Sequence, residues 1–201
     1  FIGRRLIPLL VAENKDITCM DIDVAGAKAA FAEHADKVKV VRGDVTAFDD
    51  VIGAMIDSKA ETVVNLSYFI GDLAPHVAFK LDVQGMDNCF EAARLCEVKR
   101  VVYASSLAVS GAQSHFGDRK QTEDDPPYGT SQYAVHKIFN EFQAEQYIQN
   151  YGMSITGIRP ANVTGPDKVR GSTDHVQCIV LPARGESAHF PFKSLMRLPI
   201  H

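Results

Sequence analysis

Apolar positions along the chain switch between short unbroken runs and runs spaced at three to four residues. The unbroken runs predict strands at 16–23 (DITCMDID), 38–42, 62–66, 100–104 and 154–158. The spaced runs predict helices from Gly3 onward and at 25–35, 48–56, 77–96 and 131–151. In the fourth of these, Ala78, Leu81, Val83, Met86, Phe90 and Ala93 recur near the helical period and define one apolar face. Thr130 or Ser131 is available to cap the last helix, and Gly152 to stop it. Pro8 conflicts with the first helix, because an interior proline lacks the N–H donor and crowds the preceding turn; a kink or a later start is expected. Strand–helix alternation of this kind implies a doubly wound α/β fold, a parallel sheet with helices on both faces and right-handed crossovers. The runs VVNL and VVYA are apolar on consecutive residues, as strands covered on both faces require.

With 201 residues, 46% of them hydrophobic, the chain has material for one core and part of a second unit. The pattern weakens after Pro166, so 1–166 reads as the sheet domain and 167–201 as the start of a smaller substrate lobe. A net charge of −4 points away from nucleic acid and anionic membranes, and no apolar run is long enough to span a bilayer. The four cysteines form no C-x-x-C pair, which suits reduced thiols in the cytoplasm. The seven histidines show no H-x-x-x-H spacing, so no metal site is expected. Both ends read as truncated: the chain starts without Met and is helical almost at once, and it stops after an apolar stretch. A first, central strand is therefore expected to be missing, and the isolated stretch to aggregate or stay molten.

The chemistry begins with Gly3 and, eighteen residues on, Asp21 at the end of the first strand. In a dinucleotide fold the last glycine of the fingerprint lets helix and strand pack closely, and the acid about 20 residues on takes the ribose hydroxyls. A carboxylate there repels a 2′-phosphate, which favours NAD over NADP, with Ile2 and Ile22 flanking the two positions. Asp44-Val45 and Leu66-Ser67-Tyr68 follow the next two strands, at the carboxyl edge where such sheets bind ligands. Ser105-Ser106 follows VVYA, and Tyr133 and Lys137 lie four apart on the long helix, sharing a face. An ammonium beside a phenol favours the phenolate, so Tyr133 can exchange protons while Ser106 holds a substrate oxygen. Tyr128 has Gln132 rather than a lysine one turn on. His136 is rotated about 100° from Lys137 and reads as a solvated or packing residue; Glu141, four beyond Lys137, reads as its helix partner or, in preference, a surface acid.

With Gly3, Asp21, Asp44, SS at 105–106, YAVHK at 133–137 and RPANVTGP at 159–166 in this order, the chain resembles the extended short-chain dehydrogenase/reductase family. That group is also called the NAD-dependent epimerase/dehydratase family, and the resemblance runs from Phe1 to the end. It implies a Rossmann-type NAD-binding domain with Ser106, Tyr133 and Lys137 as catalytic trio. Lys137 would also touch the nicotinamide ribose, Pro160 and Asn162 would lie near nicotinamide and substrate, and Leu107 would lie beside the substrate. It also implies a possible homodimer through the two long helices. The chain departs from the family where Val109-Ser110-Gly111 replaces a frequent V-Y-G, and where Asp82 stands in place of a common Asn. Leu107-Ala108 stand where sugar-nucleotide dehydratases carry Asp-Glu, which argues against dehydration. The segment FPFKSLMRLPIH stops well short of the family's usual substrate lobe. The leading expectation is a dehydrogenase or reductase acting on a secondary alcohol or carbonyl, perhaps of a sugar. A nucleotide-sugar 4-epimerase with retained NAD comes next. A non-catalytic NAD(H) sensor comes last, since it would have no reason to keep all three side chains.

Overall fold

The computed structural model describes residues 1–69, 73–165, 168 and 174–188. They form two compact units, one of Ile2–Arg159 and one of Phe1 with Pro160–His201. The larger unit runs α1 (Ile2–Ala12), β1 (Ile17–Asp21), α2 (Val24–Ala30), β2 (Val38–Arg42), α3 (Phe48–Ser58), β3 (Thr62–Asn65), α4 (Pro75–Phe79), α5 (Gly85–Leu95), β4 (Arg100–Ala104), α6 (Gln132–Tyr151) and β5 (Ile155–Ile158). The smaller unit contains α7 (Asp174–Ala183), and the FPFKSLMRLPIH segment lies outside the described residues. Among the described residues every strand-to-strand pairing is parallel: β1 with β2 in one sheet, and β3–β4–β5 in order in the other. Parallel neighbours need a crossover, and each one here contains a helix.

The main core lies where α5 meets β4. Phe90, Ala92, Ala93 and Val101 are fully buried, and Val51 and Met55 of α3 join them. The Phe90 ring packs edge-on against Tyr103, centroids 5.3 Å apart, an arrangement that suits the charge distribution of both rings. Burying such a ring contributes up to ~3 kcal/mol.

Three elements differ from the periodicity. The first helix starts at Ile2 and passes through Pro8, so no later start occurs. The interior proline costs ~3 kcal/mol, and half-burial of Leu6, Ile7, Leu10 and Val11 offsets it. The second helix stops at Ala30, where Phe31 leaves helical geometry (φ −119°, ψ 22°) to bury its ring, and a short 3₁₀ turn, Ala32–His34, follows. The fourth predicted helix begins earlier, at Pro75, and widens at Lys80–Gln84 into a π-type turn before α5. Proline at the first helical position explains the earlier start, because the missing N–H would have had no partner there.

Candidate active site

Ser131 begins the site by fixing α6. Its Oγ accepts the Ala134 N–H at 3.1 Å, and Gly152 ends the helix in the left-handed region at φ 67°. Tyr133 and Lys137 then fall one turn apart at the start of this helix. Lys137 is only 1% exposed; its Nζ donates to the Ala104 carbonyl at the end of β4 and lies 3.4 Å from the centroid of the Tyr68 ring. Tyr68 follows β3 and meets Tyr133 edge-on at 5.2 Å. Ser106 follows β4 and caps the 3₁₀ turn Leu107–Ser110, its Oγ accepting the Ala108 N–H at 3.1 Å. Two strand ends and one helix start thus bring Ser106, Tyr133, Lys137 and Tyr68 together. Leu107 is the half-buried first residue of the turn. Gly111 closes that turn at φ 75°, where an added Cβ would lie 2.5 Å from the Tyr128 carbonyl oxygen, so only glycine fits.

The electrostatics differ in one respect from the expectation. Burial pushes Lys137 down to about 7, against the pull of Asp82 and Glu141. Burial also holds the Tyr133 phenol above its ordinary value, and the opposing influence comes from the Ser106 hydroxyl rather than from Lys137. The reason is geometric: the ammonium is turned to Ala104 and Tyr68, 5.9 Å from the Tyr133 ring centroid.

The remaining candidates lie at other strand ends. Asp21 is exposed and accepts the Asp23 N–H at 2.9 Å, while Ile22 is 68% exposed. Ile2 is exposed at the start of α1. A Cβ on Gly3 would meet nothing nearer than Leu66 Cδ1 at 3.8 Å, an ordinary contact, so close packing does not demand glycine there. The Asp44 carboxylate is engaged in its own loop, one oxygen accepting from both Thr46 N and Oγ1. Val45 packs on the core, and its carbonyl accepts from Asn88. Ser67 bonds to Asn65 through both its N–H and its hydroxyl. Pro160 and Asn162 belong to the smaller unit, with Asn162 in an isolated bridge.

One residue departs from the sequence expectation, and a second is decided between its two readings. Glu141 is not a surface acid: both its oxygens bind the Arg159 guanidinium, at 2.8 and 2.7 Å, and it also accepts the Ser105 hydroxyl. Its place one turn beyond Lys137 already set it toward the site. Of the two readings of His136, packing holds: its side chain is 12% exposed and its Nδ1 lies 3.5 Å from the buried Asp82 carboxylate. Among the described residues no group of three or more His, Cys, Asp or Glu is placed to hold a metal ion, and no helix is long and apolar enough to cross a membrane.

Comparison with known proteins gives the family and the fold. The family model described as "NAD dependent epimerase/dehydratase family" matches residues 1–187. The chain belongs to that family. Among family relatives, a UDP-glucose 4-epimerase of Mycolicibacterium smegmatis is 31% identical over 175 residues, covering 83% of this chain and 54% of the relative. A decarboxylating sterol-4-alpha-carboxylate 3-dehydrogenase of Candida albicans is 26% identical over 170 residues, covering 83% and 49%. The chain thus spans about half the length of these relatives. The solved UDP-glucose 4-epimerase of Thermus thermophilus in complex with NAD superposes with a TM-score of 0.77 at 22% identity, covering 92% of this chain and 60% of that one. The Bordetella bronchiseptica enzyme WbmG, in complex with NAD and UDP, gives 0.77 at 21% identity, covering 94% and 58%. The fold is the Rossmann-type α/β fold of these solved structures.

Proposed function

We propose that this chain is the NAD-holding part of an oxidoreductase that moves hydride between NAD(H) and a secondary alcohol or carbonyl, with a sugar as the favoured carrier of that group. The convergence of Ser106, Tyr133 and buried Lys137 carries the reading. The residues present suit NAD. Lys137 as ammonium has three N–H donors and, among the described residues, makes one hydrogen bond, to Ala104, so donors remain for ribose hydroxyls. The exposed Asp21 carboxylate ends β1, where the other ribose would need an acceptor. NAD, when bound, supplies the acceptor for the hydride. Ser106 orients the substrate hydroxyl, and Tyr133 as phenolate takes its proton while the C–H bond breaks and the carbonyl forms. The Ser106 hydroxyl opposes the burial that disfavours the phenolate, and Lys137 binds the ribose.

The same half-reaction serves an epimerase, in which hydride returns to the other face of the keto sugar. The 31% identity to a UDP-glucose 4-epimerase favours that second reading. The two differ in cofactor handling: an epimerase holds NAD through purification and releases it only on mild denaturation, and it interconverts UDP-glucose and UDP-galactose without net NADH. A dehydrogenase exchanges NAD freely and gives NADH absorbance with its substrate. An intact protein that releases no NAD and shows no NADH change across sugars, nucleotide sugars and hydroxy acids would sink both readings in favour of a sensor.

The assembly we propose is a homodimer. Val77 and Phe79 on α4, with Val135, Phe139 and Phe142 on α6, leave large apolar side chains at 40–54% exposure on the two helices. Sedimentation should give a dimer, and Phe142→Glu should shift it to monomer.

A further inference from the structure

Tyr68 follows β3, and the backbone is held on both sides of it. Ser67 donates to the Asn65 side chain through its N–H and its hydroxyl, and the Phe69 N–H donates to Asp82 Oδ1 at 3.2 Å. The half-buried Tyr68 ring is thereby presented to the start of α6. It meets the Tyr133 ring with centroids 5.2 Å apart and planes at 89°, and its hydroxyl reaches the Tyr133 main-chain carbonyl at 3.5 Å. Lys137 Nζ lies 3.4 Å from the Tyr68 ring centroid, against 5.9 Å from that of Tyr133. An approach that close is possible only over the ring face, because the ring atoms and their hydrogens bar it in the plane. The face is the negative side of the ring, and it attracts a cation most strongly where water is excluded. Lys137 is 1% exposed, which meets that condition. Burial holds the Tyr68 phenol above its ordinary value, so it is an uncharged ring near neutral pH and not a rival base.

A ribose hydroxyl would need the same ammonium. At 3.4 Å, Nζ and the ring are in van der Waals contact, and no oxygen fits between them. With Lys137 1% exposed, no other side of the ammonium stands open to a ligand. Something that covers it must therefore move before it can donate to a ribose. Its hydrogen-bond partner, the Ala104 carbonyl, belongs to the last residue of β4 and is fixed by the sheet. The Tyr68 ring can turn about its side-chain bonds to another staggered position, while the backbone on either side stays bonded.

We propose that Tyr68 sets the affinity for NAD: its ring lies against the side of the Lys137 ammonium that ribose hydroxyls need, and ring and ribose compete for it. The proposal rests on the reading of Lys137 as the ribose ligand and deepens it. Tyr68 turns aside as the ribose is bound, and its contact with the cation is given up. NAD is therefore held less tightly, and leaves sooner, than it would with an aliphatic residue at 68. Ready exchange is what a dehydrogenase needs at every turnover, whereas an epimerase retains its NAD.

The test compares Tyr68→Leu, which removes the ring, with Tyr68→Phe, which keeps it without the hydroxyl, in the intact protein stripped of nucleotide. Acetylation of Lys137 by acetic anhydride, followed by peptide mass spectrometry, should run at least about fivefold faster in Tyr68→Leu. In Tyr68→Phe it should stay near the wild-type rate. Calorimetry should show NAD bound about tenfold tighter by Tyr68→Leu, and within about twofold of wild type by Tyr68→Phe. An unchanged acetylation rate in Tyr68→Leu would overturn the proposal. So would an NAD affinity that stays the same or falls, since a fall would make the ring a cofactor contact instead of a competitor. If Tyr68→Leu does not fold, the wild-type protein decides through NMR of ¹³C-labelled tyrosine, with the Tyr68 signal assigned by its loss in Tyr68→Phe. That signal should shift on adding NAD, and an unmoved signal overturns the proposal. None of these measurements needs a substrate, so they stand apart from the catalytic reading, which fails if Tyr133→Phe keeps its turnover.

Discussion

At the end of β1, Asp21 is exposed and bonds to the backbone two residues on; at the end of β4, Ser105 is 1% exposed and bonds to Glu141, 36 residues away. The contrast extends through both sheets. Between α1 and β2 the buried residues are Ala27, Phe31 and Val38, and no residue of α1 is buried. Around β4, by contrast, Phe90, Val101, Tyr103, Lys137 and Asn140 are nearly sealed from water. A group at the exposed edge acts through its own charge, in a solvent that screens it. A group in the buried half acts through partners, and its charge is set by what surrounds it.

The largest effect should therefore come from the buried half. Tyr133→Phe removes one oxygen and keeps the ring against Tyr68, so turnover should fall at least ~10²-fold with NAD affinity nearly unchanged. Measuring kcat beside the NAD dissociation constant checks it; retained kcat would break the comparison. Lys137→Met should lower both turnover and NAD affinity yet stabilise the fold near neutral pH. The sign follows from proton counting: an unfolded lysine holds its proton up to its ordinary value of 10.5, while folded Lys137 releases it from about 7. Between those values the unfolded state binds more protons, so Lys137 destabilises least at alkaline pH. The melting-temperature gap between Lys137→Met and wild type should accordingly shrink from pH 7 toward pH 10.5. A constant gap would mean that Lys137 is not held against its charge.

Glu141→Gln sharpens the comparison from another side. It leaves Arg159 half-buried without its anion, and ~2–3 kcal/mol of stability should be lost in urea unfolding. A loss under ~0.5 kcal/mol, the size expected of exposed pairs, would mean that water already screens this site. At the exposed edge the effect is smaller. The intact protein should bind NAD at least about tenfold tighter than NADP, ~1.4 kcal/mol by calorimetry, and Asp21→Asn should narrow the gap. Smallest of all is Tyr128→Phe. Tyr128 is 39% exposed and stacks on His115 at 4.5 Å, so the variant should change turnover and stability by less than ~0.5 kcal/mol.

The same contrast explains what could be read from the amino-acid sequence. The strand runs, the long helix with its Ser131 and Gly152 boundaries, and the family itself follow from local pattern and from motifs a few residues long. So does the pairing of Tyr133 with Lys137, because a four-residue spacing fixes a shared helix face. The surface-acid reading of Glu141 fails, and the two readings of His136 stay open in the sequence, because their partners, Arg159 and Asp82, are 18 and 54 residues away. Helical spacing tells which residues share a face, but not what that face meets. The break at Phe31 and the widened turn at Lys80–Gln84 escaped for the same reason, since tertiary packing overrode a continuous helical pattern.

A π-type turn is in effect an ordinary helix that has taken in one surplus residue, and such turns cluster at functional sites. Deleting any one residue among 80–84 would let the helix from Pro75 to Leu95 close up regularly. The segment before the deletion would then swing about 100° around the axis relative to the segment after it. Asp82 would leave the side on which it meets His136, although neither residue had changed. The placement of that acid is thus as sensitive to a one-residue insertion or deletion as to a substitution. A one-residue gap here between otherwise similar sequences would mark a change in chemistry, although loop gaps elsewhere are usually neutral drift.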